Sequence, residues 1–189
     1  MNAASDAAAP ARMFLAIPLP LDLQRRLSRL VPQAAGVRPV GVGQMHLTLH
    51  FFGALAAAAV DPVAAAVAAV EWRAFPLVIG GGGRFPPRGP ATVLWVGVGG
   101  NGPLAALQAA VAAAVAGHGA PVESRPFAAH VTVARLQRQA TRDTAAAFLA
   151  AAERLPPEEI AVDRFHLYRS DPGPQGRVHA IVRTFTCRP

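Results

Sequence analysis

Two stretches of this chain read as the same strand. In Met45 to Phe52, His46, Thr48 and His50 alternate with Leu47, Leu49 and Phe51, so a β-strand here turns the polar set to one face and the apolar set to the other. In Phe127 to Arg135, His130 and Thr132 alternate with Val131 and Val133 in the same way. Each stretch carries one His-x-Thr on its polar face, and the two histidines stand 84 residues apart (46 to 130). A single His-x-Thr is more often a strand with a half-buried histidine than half of an active site. Two copies at matching places reverse that balance.

The places do match. Periodicity predicts a strand at Met13 to Ile17, a helix at Pro20 to Val31 on Leu23, Leu27 and Leu30 with Gln24 among its polar residues, the strand Met45 to Phe52, a helix at Val60 to Trp72 and a strand at Phe75 to Ile79. Gly80 to Gly83 and Arg84 to Pro90 predict a long turn. The order then recurs: strand Thr92 to Val98, helix Leu104 to Ala116, strand Phe127 to Arg135, helix Asp143 to Ala152 and strand Glu159 to Tyr168. A turn at Arg169 to Gly176 precedes a last strand, Arg177 to Phe185. No glycine fingerprint follows the first strand, where Leu19 and Pro20 stand, so a doubly wound parallel sheet is disfavoured. The expected class is α+β: two antiparallel sheets with flanking helices in one domain, residues 12–189. Its lobes are expected from the two halves, roughly 12–83 and 91–168, plus the C-terminal strand, with residues 1–11 as a flexible tail.

Composition removes several chemistries. All 18 basic residues are arginine against 11 acidic ones, so the chain has a net charge of +7 and no lysine. A Walker A loop, a Schiff base and a lysyl-adenylate are all excluded. Arginine instead suits planar, bidentate contact with phosphate, and the positive excess favours polyanions. Cys187 is the only cysteine, which leaves no disulfide framework or thiolate metal cluster. No apolar stretch has the roughly 20 residues of a membrane span, and the first twelve residues lack the pattern of a secretory signal. The expectation is a cytoplasmic protein without membrane contact.

Two imidazoles on opposite sides of one phosphorus can supply both proton transfers for opening a cyclic phosphate, because histidine titrates near neutral pH. Thr48 and Thr132, two residues along the same faces, can donate to phosphate oxygens as charge builds on them. His50 shares the face of His46 by alternation and is expected at the rim of the site. A third-histidine metal site is disfavoured, because no carboxylate or thiolate accompanies the histidines. His118 in a Gly-flanked turn and His166 beside Arg164 read as solvated or packed residues.

The chain resembles the bacterial and archaeal RNA 2',3'-cyclic phosphodiesterases, also called 2'-5' RNA ligases, of the two-histidine phosphoesterase superfamily. The residues that carry the likeness are Met13-Phe14-Leu15-Ala16-Ile17-Pro18, His46-Leu47-Thr48-Leu49-His50-Phe51-Phe52-Gly53, Gly83-Arg84-Phe85-Pro86, Val93-Leu94-Trp95-Val96-Gly97-Val98, Arg125-Pro126-Phe127, His130-Val131-Thr132-Val133-Ala134-Arg135 and Leu167-Tyr168-Arg169-Ser170. The resemblance implies a bilobal fold with a pseudo-twofold axis and a cleft where the motif strands face each other. It implies hydrolysis of terminal RNA 2',3'-cyclic phosphates to 2'-phosphates, with His46 as proton donor and His130 as proton acceptor, and ATP-independent 2'-5' joining as the reverse. Arg135 matches the family as a phosphate contact beside Thr48 and Thr132. Arg12, Arg84, Arg88 and Arg125 are weaker candidates for the RNA backbone. No metal and no cofactor is implied; the partner is RNA with a cyclic phosphate end, tRNA fragments among them, met by a monomer.

Ala129 stands where relatives often carry proline, and His179 where an aromatic is frequent, which leaves Phe14, Phe51, Trp95 and Tyr168 as candidates for base stacking. Two other readings stay open on sequence alone. One is a phosphodiesterase for small cyclic nucleotides or cyclic-phosphate sugars. The other is a non-catalytic RNA-binding module.

Overall fold

The structure is a computed structural model in which residues 10–99, 102–118, 126–173 and 176–188 are described. Residues 1–9 of the expected tail, Arg125, and positions 174 and 175 of the expected last turn lie outside the described residues. The elements are β1 (Ala11–Pro18), α1 (Leu21–Ser28), β2 (Val37–Pro39), β3 (His46–Leu55), α2 (Ala57–Ala68), β4 (Phe75–Phe85), β5 (Val93–Val98), α3 (Gly102–Val115), β6 (His130–Leu136), α4 (Arg142–Glu153), β7 (Glu158–Val162), β8 (Arg164–Gly173) and β9 (Gly176–Thr186).

The strands form one antiparallel sheet in the order β7-β4-β5-β6-β3-β1-β8-β9, with β2 on β6. The class is therefore α+β, as the sequence implies. Its two halves, β6-β5-β4-β7 and β3-β1-β8-β9, meet at a single pairing, Leu47 with Val131. Those residues are themselves 84 apart, the spacing of the two histidines, so the local twofold of this antiparallel contact relates His46 to His130. A chain that places β1 and β3 in one half and β4 to β7 in the other must return to the first half with β8 and β9. The lobes therefore do not follow the boundaries 12–83 and 91–168: β4 belongs with β5, and β8 with β1.

The two motif strands repeat a pattern finer than alternation. From the histidine onward, both read half-buried, buried, half-buried, buried, buried, exposed, buried. The cause is a β-bulge at the same place in each. Leu49 is the extra residue where Leu15 pairs with His50 and Ala16 with Thr48; Val133 is the extra residue where Leu94 pairs with Ala134 and Trp95 with Thr132. A bulge puts two residues opposite one, so everything after it changes face.

One hydrophobic cluster backs the sheet. It joins Leu15, Leu47, Leu49, Val131 and Val133 to Leu23 and Leu27 of α1, Val63 and Val67 of α2, Leu107 and Val111 of α3 and Phe148 of α4. Gln24, expected on a polar surface, is instead buried. Its amide donates to the Leu19 carbonyl at 2.8 Å, and its oxygen accepts from the N–H of Gly43 at 2.7 Å and of Met45 at 3.2 Å. This side chain pins the loop that delivers His46.

Several expected boundaries move. The glycine run continues strand β4 rather than turning: a Cβ on Gly82 would stand 2.5 Å from Ala152 Cβ, and one on Gly83 would stand 2.0 Å from the Trp95 ring. Glycine here admits close neighbours, and the bulge falls at Gly81 with φ +64. Glu159 to Tyr168 divides into β7 and β8, which lie at opposite sides of the sheet. The expected break at Arg169 is strand through Gly173. Helices α1 and α2 end before Val31 and Trp72, and α2 begins at Ala57 with Pro62 inside it.

Candidate active site

Strands β3 and β6 bring His46, Thr48, His130 and Thr132 to one face, on either side of the Leu47–Val131 contact. In an antiparallel pair this register sets each histidine toward the threonine of the other strand. The residues just before each strand fix the rings. His46 Nδ1 lies 2.8 Å from the Gln44 carbonyl oxygen, and His130 Nδ1 lies 2.7 Å from that of Ala128. A carbonyl can only accept, so each Nδ1 carries the proton and each Nε2 is the unprotonated nitrogen. The Gln44 side chain adds a tie that its counterpart Ala128 cannot make: its oxygen accepts the His179 N–H at 2.9 Å, joining β9 to the loop before His46.

Aromatic rings support both imidazoles. Phe14 stacks on His46 with centroids 4.7 Å apart, and Tyr168 stacks on Phe14 at 5.1 Å. Phe85 meets His130 edge-on at 5.1 Å, with Trp95 at 6.3 Å. His179 stands edge-on to His46 at 5.3 Å and to Phe14 at 4.9 Å. Of the stacking candidates, Phe14 is buried beneath His46, Trp95 and Tyr168 are half-buried, and Phe51 is 52% exposed. Burial raises the Tyr168 pKa to about 12, so its hydroxyl stays protonated.

The bulges decide two further positions. Past Leu49 the strand reverses its faces, so His50, expected beside His46, is only 8% exposed and packs 4.9 Å from the Phe52 ring. Past Val133 the same reversal brings Arg135, which is exposed, to the face of His130. Arg135 lies near enough to lower the pKa of both His46 and His179. Of the weaker arginines, Arg84 donates to the carbonyls of Gly89 at 2.7 Å and Pro87 at 2.9 Å and so fastens its own loop. Arg12 and Arg88 are exposed. His166 is buried with Nδ1 3.0 Å from Thr184 Oγ1, and His118 lies in an exposed turn. Among the described residues, no three His, Cys, Asp or Glu side chains are grouped to hold a metal ion, and no helix is long and apolar enough to cross a membrane.

His46 is electrostatically distinctive. Burial lowers its pKa, the Gln44 carbonyl opposes that, and His179, His130 and Arg135 lower it further, to about 4. The unfolded chain binds this proton near pH 6.5 but the folded one only near pH 4. Folding stability is therefore lost as pH falls from 6.5 toward 4 and levels off below that window. An NMR titration of the free protein is expected to show the His46 ring neutral at about pH 5.5 and half-protonated near pH 4, with the midpoint rising on addition of inorganic phosphate. An unshifted midpoint near 6.5 would mean that the cleft does not exclude water from this ring.

Comparison with known proteins identifies the family and the fold. The model of the 2'-5' RNA ligase superfamily matches residues 19–174. An RNA 2',3'-cyclic phosphodiesterase of Geobacillus stearothermophilus is 32% identical over 128 residues, 65% of this chain but 41% of that protein, so the match spans about two fifths of the relative's length. One of the same name from Thermotoga maritima is 27% identical over 178 residues, 90% of this chain and 92% of the other. Among solved structures, TT0787 of Thermus thermophilus superposes with a TM-score of 0.78 at 27% identity, covering 94% of this chain and 98% of its own.

Proposed function

Because the chain belongs to the 2'-5' RNA ligase superfamily, we propose that it hydrolyses 2',3'-cyclic phosphates at RNA ends to 2'-phosphates, with His46 as proton donor and His130 as proton acceptor. Water attacks phosphorus as its proton passes to His130 Nε2. The bond from phosphorus to the 3'-oxygen breaks, and that oxygen takes a proton from His46. Thr48, Thr132 and Arg135 donate to the phosphate oxygens that carry the developing charge. Neither metal nor cofactor takes part. With a 5'-hydroxyl in place of water attacking the cyclic phosphate, the same groups would form a 2'-5' link without ATP, consistent with a chain that has no lysine.

The observation that supports this reading most is the repeated contact of each Nδ1 with the carbonyl two residues earlier. Two imidazoles related by a twofold, each with Nε2 free, suit attack and departure on opposite sides of one phosphorus. The names of the relatives support the substrate class. At neutral pH the free protein's His46 is the neutral imidazole, with Nδ1 protonated and Nε2 not, so the donor role requires that Nε2 gain a proton together with the anionic substrate. The protein works as a monomer on RNA ends in the cytoplasm, tRNA fragments among them, with residues 12–189 as one domain.

The test is turnover of a short RNA ending in a 2',3'-cyclic phosphate, with excess chelator present and the product read by phosphorus NMR. The expected product is the 2'-phosphate at a rate the chelator leaves unchanged. A 3'-phosphate product would sink the assignment of the bond broken, and loss of rate with chelator would sink the metal-free mechanism. Turnover confined to mononucleotides would favour a small cyclic nucleotide or sugar as substrate, and binding without turnover a non-catalytic module.

A further inference from the structure

Strand β2 is invisible to the periodicity of the sequence, and it carries a residue that none of the chemistry above uses. It pairs with β6 in the register Val37–Leu136, Arg38–Arg135 and Pro39–Ala134. Both ends are fastened: Val40 N–H donates to the Val133 carbonyl at 2.8 Å, and Gln137 N–H to the Gly36 carbonyl at 2.8 Å. Gly36, at φ +78, leaves no room for a side chain, since a Cβ there would meet the Ala140 nitrogen at 2.5 Å. The position of Arg38 is thus set by backbone and not by a drifting loop.

The register places Arg38 directly opposite Arg135. Opposed residues of an antiparallel pair share a face, with Cβ atoms about 5 Å apart. The bulge at Val133 has already turned Arg135 toward the cleft, so Arg38 faces it too. Strands β3 and β2 also lie along the same edge of β6, β3 meeting it at Val131 and β2 at residues 134–136. Arg38 therefore stands on the line between the two halves of the sheet, level with Arg135 and on the same edge of β6 as β3.

Two like charges directly opposed on a sheet repel. Six arginines of the described residues are paired with acids: Arg25 with Asp22, Arg26 with Glu158, Arg164 with Asp163, Arg169 with Asp171, Arg183 with Asp61 and Arg188 with Glu71. Among the described residues, no carboxylate forms an ion pair with either Arg38 or Arg135, and both side chains are exposed. An anion between the two guanidinium groups would turn the repulsion into attraction, and guanidinium suits phosphate.

We infer that Arg38, opposed to Arg135 on the neighbouring strand, binds the phosphodiester next to the reacting terminal phosphate, and so makes the site select an RNA strand over a mononucleotide. The inference rests on the reading of the cleft as an RNA-end site. Arg135 reaches the His46 and His179 side, where the terminal phosphate sits. Arg38, level with it on the neighbouring strand, offers a second guanidinium for the preceding nucleotide's phosphate. It contacts backbone only, so its effect is the same for every base sequence.

The experiment compares equilibrium binding of a trinucleotide carrying a 3'-terminal phosphate with that of a nucleoside 3'-phosphate, for the unmutated protein, Arg38→Gln and Arg38→Lys. Arg38→Gln is expected to weaken the trinucleotide about tenfold and to reduce the salt slope of its binding by about 0.7, leaving the mononucleotide unchanged. Arg38→Lys, which keeps the charge, is expected to restore the salt slope. On a trinucleotide ending in a cyclic phosphate, the Gln variant should raise KM with kcat preserved. Equal loss on both ligands, or none on either, would overturn the inference. Absence of turnover in the unmutated protein would count against the proposed reaction, while the binding comparison would still decide the role of Arg38.

Discussion

His130→Ala is expected to lower kcat on a cyclic-phosphate RNA end by about 10³- to 10⁴-fold, the upper part of the range that a positioned acid or base supplies. His46→Ala should do the same, because attack and departure each need a proton moved and neither imidazole can reach both sides of phosphorus. The loss should fall on kcat, with KM changed little, since Arg135 and the threonines remain to hold phosphate. The main ambiguity is structural: each ring also closes a hydrogen bond from Nδ1 to a carbonyl and packs against Phe14 or Phe85. His130→Asn and His46→Asn resolve it. Asparagine can donate to the same carbonyl but cannot titrate, so it should recover any melting temperature lost in the alanine variants without recovering rate. If either alanine variant kept kcat within about tenfold of the unmutated protein while folded, that histidine would not be transferring the proton assigned to it.

What the sequence revealed of this site, and what it hid, divides along one physical line. Alternation of polar and apolar residues found β3 and β6, because a strand with one buried face must alternate. That was enough to bring His46, Thr48, His130 and Thr132 together. It failed at Leu49 and Val133, where one extra residue in each strand reverses the pattern; His50 went to the wrong face for that reason. Arg135 reached the candidate set through the family likeness, since strict alternation would send it away from His130. The bulges leave no composition signal, as Leu49 and Val133 look like any strand residues. Likewise β2 has three residues, Val37, Arg38 and Pro39, too few to show a period, and the glycines of β4 read as a turn because their neighbours Ala152 and Trp95 are remote in sequence. A related failure concerns the lobes. Local pattern orders elements along the chain, but only long-range pairing reveals that β8 and β9 complete the half begun by β1 and β3.

Thr132→Val is expected to lower kcat by about 10²- to 10³-fold, the effect of removing one donor from a preorganised site that stabilises developing charge. Valine keeps the branched shape that suits a strand and deletes only the hydroxyl, so melting temperature should hold. Thr132→Ser keeps the hydroxyl on a smaller side chain and should retain most of the rate. Thr48→Val tests the twofold counterpart, and the surroundings of the two hydroxyls predict an inequality. Thr132 pairs across the sheet with Trp95, whose ring covers Gly83, whereas Thr48 pairs with Ala16. A large apolar neighbour excludes water, and a hydrogen bond to charge is stronger where water is excluded. The loss should therefore be greater for Thr132→Val than for Thr48→Val, and Trp95→Ala should narrow the difference. Single-turnover rates for the three variants measure this directly. Equal losses at both threonines would show that Trp95 contributes nothing to phosphate stabilisation, and kcat within about threefold of the unmutated value in both valine variants would remove the threonines from the chemistry.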